Sequence, residues 1–196
     1  MSIRRVIVGI TGASGVIYGI RTLVALKGVC DVECHLVLSP SAARTMVEET
    51  TYSLDDVRAL ADVVHSHGNI GASIASGSFQ TVGMIVAPCS IKTLSAIANC
   101  YAEDLIARAA DVCLKERRRL VLMVRETPLH VRHAQLMEQA MLAGAIIAPP
   151  VPAFYHRPQT IDDIVYQTVG RTLDLLGIDT QRVARWSGSA LRQNAG

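Results

Sequence analysis

Short runs rich in Val, Ile and Leu recur along this chain at 5–10, 32–38, 84–87, 120–124 and 145–148, and segments of helical periodicity separate them. The runs are too brief for core helices and lack the alternation of a half-solvated strand, so they read as strands buried on both faces. Strands that alternate with helices connect through right-handed crossovers. The pattern therefore predicts a three-layer, doubly wound α/β domain with a mainly parallel sheet. Helices are predicted over 16–26, around Ala42, Met46 and Val47, from Ser53, over 104–117, over 128–142 and from Thr160 to Leu176, where Gly177 stops the last one. A further strand is expected near Val63 and Val64, and 66–80, rich in Gly and Ser, reads as a loop at a site or an interface. No repeat or domain boundary interrupts the 196 residues, which are expected to form one domain, with 179–196 as a tail packing at a subunit contact.

Three strand ends carry polar groups that a core does not need. The 120–124 run stops abruptly at Arg125-Glu126-Thr127-Pro128. In open α/β sheets ligands bind beyond the carboxyl ends of strands, so this pair stands where a site is expected; a solvated ion pair on a loop is the competing reading. Pro128 is read as the first residue of the next helix, where its missing N–H costs nothing. After the first strand, Gly12-Ala13-Ser14-Gly15 can turn backbone N–H groups and the Ser14 hydroxyl toward a phosphate at a helix start. The turn lacks a Walker Gly-Lys-Ser/Thr and the full GxGxxG pattern, and close strand-to-helix packing also selects small residues. Ser90-Ile91-Lys92-Thr93 repeats the arrangement at a third strand end, with plain helix capping by Ser90 as the simpler account.

Arg108, Lys115, Arg125 and Arg171 are candidate anion ligands. Lys115 belongs to the run Lys115-Glu116-Arg117-Arg118-Arg119, whose simpler reading is a solvated helix end. Arg171 stands on a largely apolar helix, where a charge needs a partner. Tyr155 follows a proline-stiffened connection that holds a phenol at fixed reach, or covers the core edge. His65 and His67 have the chemistry of general bases, but a loop position explains them equally well. Asp55-Asp56 and Asp162-Asp163 begin helices, where the dipole explains them without a metal.

Composition removes several classes. A net charge of +2 and 4% aromatic residues offer neither a phosphate-binding field nor a stacking platform for nucleic acid. Cys30, Cys34, Cys89, Cys100 and Cys113 form an odd set without metal-ligand spacing, so neither a disulfide framework nor a metal site is expected. No apolar stretch reaches bilayer length and the first residues lead straight into a strand, so a cytoplasmic protein is expected, without membrane association. A mean hydropathy of +0.31 is high for a monomer and points to surface lost between subunits.

Taken in order, Gly9-Ile10-Thr11-Gly12-Ala13-Ser14-Gly15, Ser76-Gly77-Ser78, Pro88-Cys89-Ser90-Ile91-Lys92-Thr93-Leu94, Arg108-Ala109-Ala110-Asp111-Val112, Leu114-Lys115-Glu116, Arg125-Glu126-Thr127-Pro128-Leu129, Pro152-Ala153-Phe154-Tyr155 and Arg185-Trp186 resemble the UbiX-like flavin prenyltransferases. Lys92-Thr93-Leu94 is similar to the branch that accompanies hydroxyarylic acid decarboxylases. The resemblance covers nearly the whole chain. It implies a flavodoxin-like or Rossmann-like flavoprotein fold, bound FMN, no metal, and transfer of dimethylallyl from dimethylallyl monophosphate to N5 and C6 of reduced FMN. The prenylated FMN would serve a partner UbiD-type decarboxylase.

By the same motifs, Gly12, Ala13, Ser14, Ser39, Ser90, Ile91, Lys92, Thr93 and Arg125 would hold FMN. Lys115, Tyr155 and Arg171, supported by Arg108, would hold the prenyl phosphate. Ser14 and Glu126 would assist proton movement, Lys115 would stabilise the departing phosphate, and Trp186 would offer a π face to an allylic cation. The family also implies a homo-oligomer, a dodecamer, with sites built from adjacent subunits. Two departures stand out: Val124 replaces a more usual Pro, and the helix bearing His130, Arg132, His133 and Gln135 differs from the common pattern. A flavin-dependent cysteine decarboxylase of related fold is the alternative enzyme, although its Pro-Ala-Ser-Ala-Asn-Thr segment is absent; a noncatalytic flavin-carrying subunit is the alternative outside enzymes.

Overall fold

The structure, a computed structural model, describes residues 3–181 and 183–186. Six strands form one sheet: β1 (Arg4–Ile10), β2 (Val32–Leu38), β3 (Val63–His65), β4 (Gly83–Cys89), β5 (Arg119–Val124) and β6 (Ile146–Ile147). Their spatial order is β3-β2-β1-β4-β5-β6 and every pairing is parallel. The apolar runs are continuous because both faces of the central strands are covered. Every residue of β4 is buried, and β1 from Val6 to Ile10 likewise.

Two apolar layers flank the sheet. One packs α1 (Val16–Lys27), α2 (Pro40–Glu49), α3 (Leu54–Arg58) and α7 (Ile161–Asp174) on Val6, Val8, Ile10, Ile85 and Met123. The other packs α4 (Ile91–Ala98), α5 (Leu105–Lys115) and α6 (Val131–Leu142) on Ile7, Met84, Val86, Leu120 and Leu122. Alternate residues of one strand serve opposite layers, as the pleat requires.

The helices start where their caps place them. Ser39, Ser53, Ser90, Asp104 and Thr160 each accept a backbone N–H of the first turn, and Ser53 and Thr160 form full capping boxes with Asp56 and Asp163. One predicted start is corrected. The helix after β5 begins at Val131 rather than Pro128, because extended His130 is its N-cap and supplies the first helical carbonyl, which accepts from His133 at 2.9 Å. The 66–80 segment is a loop with one 3-10 turn, Ser73–Ala75. Among the described residues, no helix is long and apolar enough to cross a membrane.

Candidate flavin and phosphate site

β1 and β4 are neighbours in the sheet but not in sequence, and their carboxyl ends open onto the point where strand order reverses, the usual ligand crevice of such folds. Four strand ends are sewn together there. Thr11, buried, donates its hydroxyl to the Pro88 carbonyl at 2.7 Å and accepts the Ser90 N–H at 2.8 Å. Ser39 N–H donates to the Ile10 carbonyl at 3.0 Å, and Arg125 N–H to the Cys89 carbonyl at 3.0 Å. The rim following β1, β2, β4 and β5 is thus one hydrogen-bonded frame.

The flavin candidates stand on this frame. Gly12 faces the Ser41 side chain so closely that any Cβ would collide with it. Ser14 is exposed, and Gly15, at φ 95°, caps α1 without a side-chain bond. Ser39 and Ser90 spend their hydroxyls partly on capping, accepting from Ala42 N–H at 3.1 Å and Thr93 N–H at 3.3 Å. The Thr93 hydroxyl lies 3.2 Å from that of Ser90, and half-buried Ile91 follows the cap. Exposed Lys92 and half-buried Thr93 also face a cavity of about 550 Å³ shared with Asn99, Tyr101 and Asp104.

Arg125 is half-buried and Glu126 exposed, and they do not pair with each other. The Glu126 carboxylate accepts its neighbour's Thr127 N–H at 3.0 Å, and among the described residues the Arg125 guanidinium has no ion-pair partner. The ion-pair reading of these two residues therefore gives way to a cation and an acid held separately at one strand end. Buried Val124 pairs with Cys89 after a register shift that follows Val86, so the pairing reaches the residue before Arg125 despite the departure from Pro. Hydroxyls, helix-start amides and a guanidinium on one rim suit a phosphate-bearing flavin.

The phosphate candidates fall into two clusters. On the α5 side, Arg108 donates to the Ala75 carbonyl at 3.2 Å and pairs with Asp111 at 2.9 Å, while Lys115 pairs with Glu116 at 2.6 Å beside Gly77. Arg118 braces the same loop through the Phe79 and Gly77 carbonyls at 2.8 and 2.5 Å. On the α7 side, Tyr155, Arg171, Ala184, Arg185 and Trp186 line a cavity of about 400 Å³. The two helices belong to opposite layers, and Lys115 precedes β5 while Arg125 follows it, roughly 20 Å of strand apart. The two phosphate clusters therefore stand on opposite faces of the sheet.

Sequence reading missed several contributors. The Glu49 carboxylate accepts Gly15 and Val16 N–H groups at 2.7 and 3.2 Å, placing an acid at the mouth of the first turn. Thr11 acts on a residue far along the chain, which no local pattern reveals. Cys34, Cys89 and Cys113 are buried and their thiols pushed up to about 12 by loss of solvent, so they hold no thiolate for chemistry. Among the described residues, no group of three His, Cys, Asp or Glu side chains is placed to hold a metal.

Residues 1–171 match the Flavoprotein family. Flavin prenyltransferase UbiX of Escherichia coli (strain K12) is 58% identical over 188 residues, covering 95% of this chain and all of that one. A crystal structure of AnUbiX (PadA1) in complex with FMN and dimethylallyl pyrophosphate superposes with a TM-score of 0.93 at 51% identity, over 95% of this chain and 99% of that one. A dodecameric FMN-dependent UbiX-like decarboxylase from Escherichia coli O157:H7 gives 0.91 at 49%, over 94% and 100%. A family match over residues 1–171, together with identity of this extent over whole chains, places the protein in the Flavoprotein family, among the UbiX flavin prenyltransferases.

Proposed function

We propose that this chain transfers a dimethylallyl group from dimethylallyl monophosphate to reduced FMN and releases prenylated FMN for a UbiD-type decarboxylase. The observation that carries the reading is Arg125, without an ion-pair partner among the described residues, beside Glu126 on the hydrogen-bonded rim, in a chain 58% identical to a flavin prenyltransferase. Reduced FMN supplies the nucleophilic ring positions N5 and C6. Gly12, Ala13, Ser14, Ser39, Ser90, Ile91, Lys92 and Thr93 bind and orient it through amides and hydroxyls, and Arg125 supplies positive charge at the far strand end.

The prenyl monophosphate is held by Lys115, Tyr155 and Arg171, with Arg108 behind them. Cations and a phenol that meet the leaving phosphate stabilise the charge that grows on it as its C–O bond breaks. Glu126, with Ser14 and Glu49 across the rim, accepts or returns the proton exchanged during ring alkylation. Trp186 offers its ring face to the electron-poor prenyl group. The two phosphate clusters lie on opposite layers of one chain, so they converge on one phosphate across a contact between copies. A twelve-chain assembly, as in the dodecameric relative, supplies such contacts. The chain works as one domain in the cytoplasm, with 179–196 at a subunit contact; 182 and 187–196 lie outside the described residues.

The test is anaerobic incubation with reduced FMN and dimethylallyl monophosphate, followed by mass spectrometry of the released flavin. A flavin heavier by one C5H8 unit is expected. Unmodified FMN, beside an active relative handled identically, overturns the proposal.

A further inference from the structure

We propose that Gln167 is a positioning residue that forces the Tyr155 phenol to act as a donor and clamps the segment carrying Arg185 and Trp186 beside it. This rests on the reading of Tyr155 as a ligand of the prenyl phosphate. Gln167 is only 4% exposed, an unusual place for an amide on a helix that otherwise buries Val165, Val169 and Leu173.

Every polar atom of that amide is engaged. Its Oε1 accepts the Ala184 N–H at 3.0 Å, and its Nε2 donates to the Ala184 carbonyl at 3.0 Å and to the Tyr155 hydroxyl oxygen at 2.7 Å. The Ala184 N–H can meet only an oxygen, so the orientation of the amide is settled by the network and its NH2 must face Tyr155. Tyr155 already receives a hydrogen there, so its own proton is directed elsewhere. It now reaches the Ala184 carbonyl at 3.1 Å, an acceptor that Gln167 also supplies. An incoming phosphate oxygen can therefore take the phenol's proton without leaving that carbonyl unpaired.

Two further contacts fix the same segment on α7. Gly170 has no Cβ, and any added there would collide with Val183. Asp174, its side chain 14% exposed, accepts Arg185 at 2.7 and 3.0 Å and Arg171 at 2.5 Å. The Arg185 guanidinium, then that of Arg171, holds the Asp174 carboxyl below its ordinary range. Arg185 also pairs with Asp179 at 3.1 Å, so both guanidiniums lining the cavity are held in place by carboxylates, and Trp186 packs edge-on to Tyr155 with ring centres 6.1 Å apart. Amide, glycine and carboxylate lie along one stripe of one helix and converge on one short segment.

The experiment compares Gln167→Glu, Gln167→Met and Tyr155→Phe, singly and with Gln167→Glu combined with Tyr155→Phe, all with FMN bound. A glutamate at 167 accepts the phenol's proton instead of donating to it, and a methionine fills the space without either bond. We expect Tyr155→Phe and Gln167→Glu each to raise KM for dimethylallyl monophosphate by roughly 10- to 100-fold with a smaller change in kcat. The double variant should be no worse than the poorer single. Trp186 is the sole tryptophan, so its fluorescence anisotropy reads the clamp without any turnover and should fall in both Gln167 variants. Folded, flavin-binding Gln167 variants with unchanged KM and anisotropy would overturn the proposal, and so would additive penalties in the double variant. If Tyr155→Phe alone leaves KM unchanged while anisotropy still falls in the Gln167 variants, the clamp stands and the phosphate reading of Tyr155 fails.

Discussion

Arg125 and Glu126 are adjacent in sequence yet differ in surroundings, since Arg125, just past the buried end of β5, is half-buried and Glu126 is exposed. Among the described residues no cation pairs with the Glu126 carboxylate, which accepts only the Thr127 N–H. We therefore expect Glu126→Gln to keep FMN affinity and to slow single-turnover prenylation by roughly 100-fold or more, measured by rapid quench and mass spectrometry. An unchanged rate would remove Glu126 from proton transfer. At this scale the sequence was legible where chemistry is local: a charge ending an apolar run, a hydroxyl opening a helix. It was silent where partners are distant. Nothing around Thr11 announces that its hydroxyl joins Pro88 to Ser90, and nothing around Glu49 announces that it reaches the α1 amides.

Among the elements, the short edge strand β3 depends on chemistry that its sequence barely hints at. His65 meets His35 of β2 ring to ring, with Nε2 and Nδ1 2.9 Å apart. The other His35 nitrogen lies 2.8 Å from the Glu33 carboxylate, which also pairs with Arg5. Phe79 closes the cluster edge-on against His35.

Burial, then the neighbouring His35, pushes the His65 value below its ordinary 6.5. The unfolded chain therefore binds that proton more readily than the folded one. The contribution of His65 to stability is fully present above about pH 6.5 and is lost as pH falls through the lower folded value. Chemical denaturation at pH 7.5 and 5.5 should show a lower midpoint in acid, and His65→Gln should shrink that difference; an equal difference in the variant would sink the assignment. Element order was readable because continuous apolar runs mark doubly covered strands. The start of α6 was not, because Pro128 is tolerated equally before a helix and in its first turn, and only the backbone of His130 decides.

For the molecule as a whole, apolar surface remains uncovered in a single chain. Val131 and Leu142 are 73% and 82% exposed at the two ends of α6, and Val151, Phe154 and Ile161 are also exposed. Such residues suit the contacts between copies proposed above. Charging two of them, as in Val131→Glu with Leu142→Glu, should convert the assembly to smaller species by light scattering after size exclusion, with loss of prenyl transfer because the phosphate clusters no longer meet. A full-sized assembly would place α6 outside the contacts. The sheet order has a consequence in time as well as in space. β1 is synthesised first, yet one of its two partners is β4, with Val6 opposite Gly83, so the centre of the sheet stays open until the ribosome has delivered nearly half the chain. Until then only the β1–β2–β3 side can close, and the strand end that leads into the Gly12–Gly15 turn waits beside an unpaired edge.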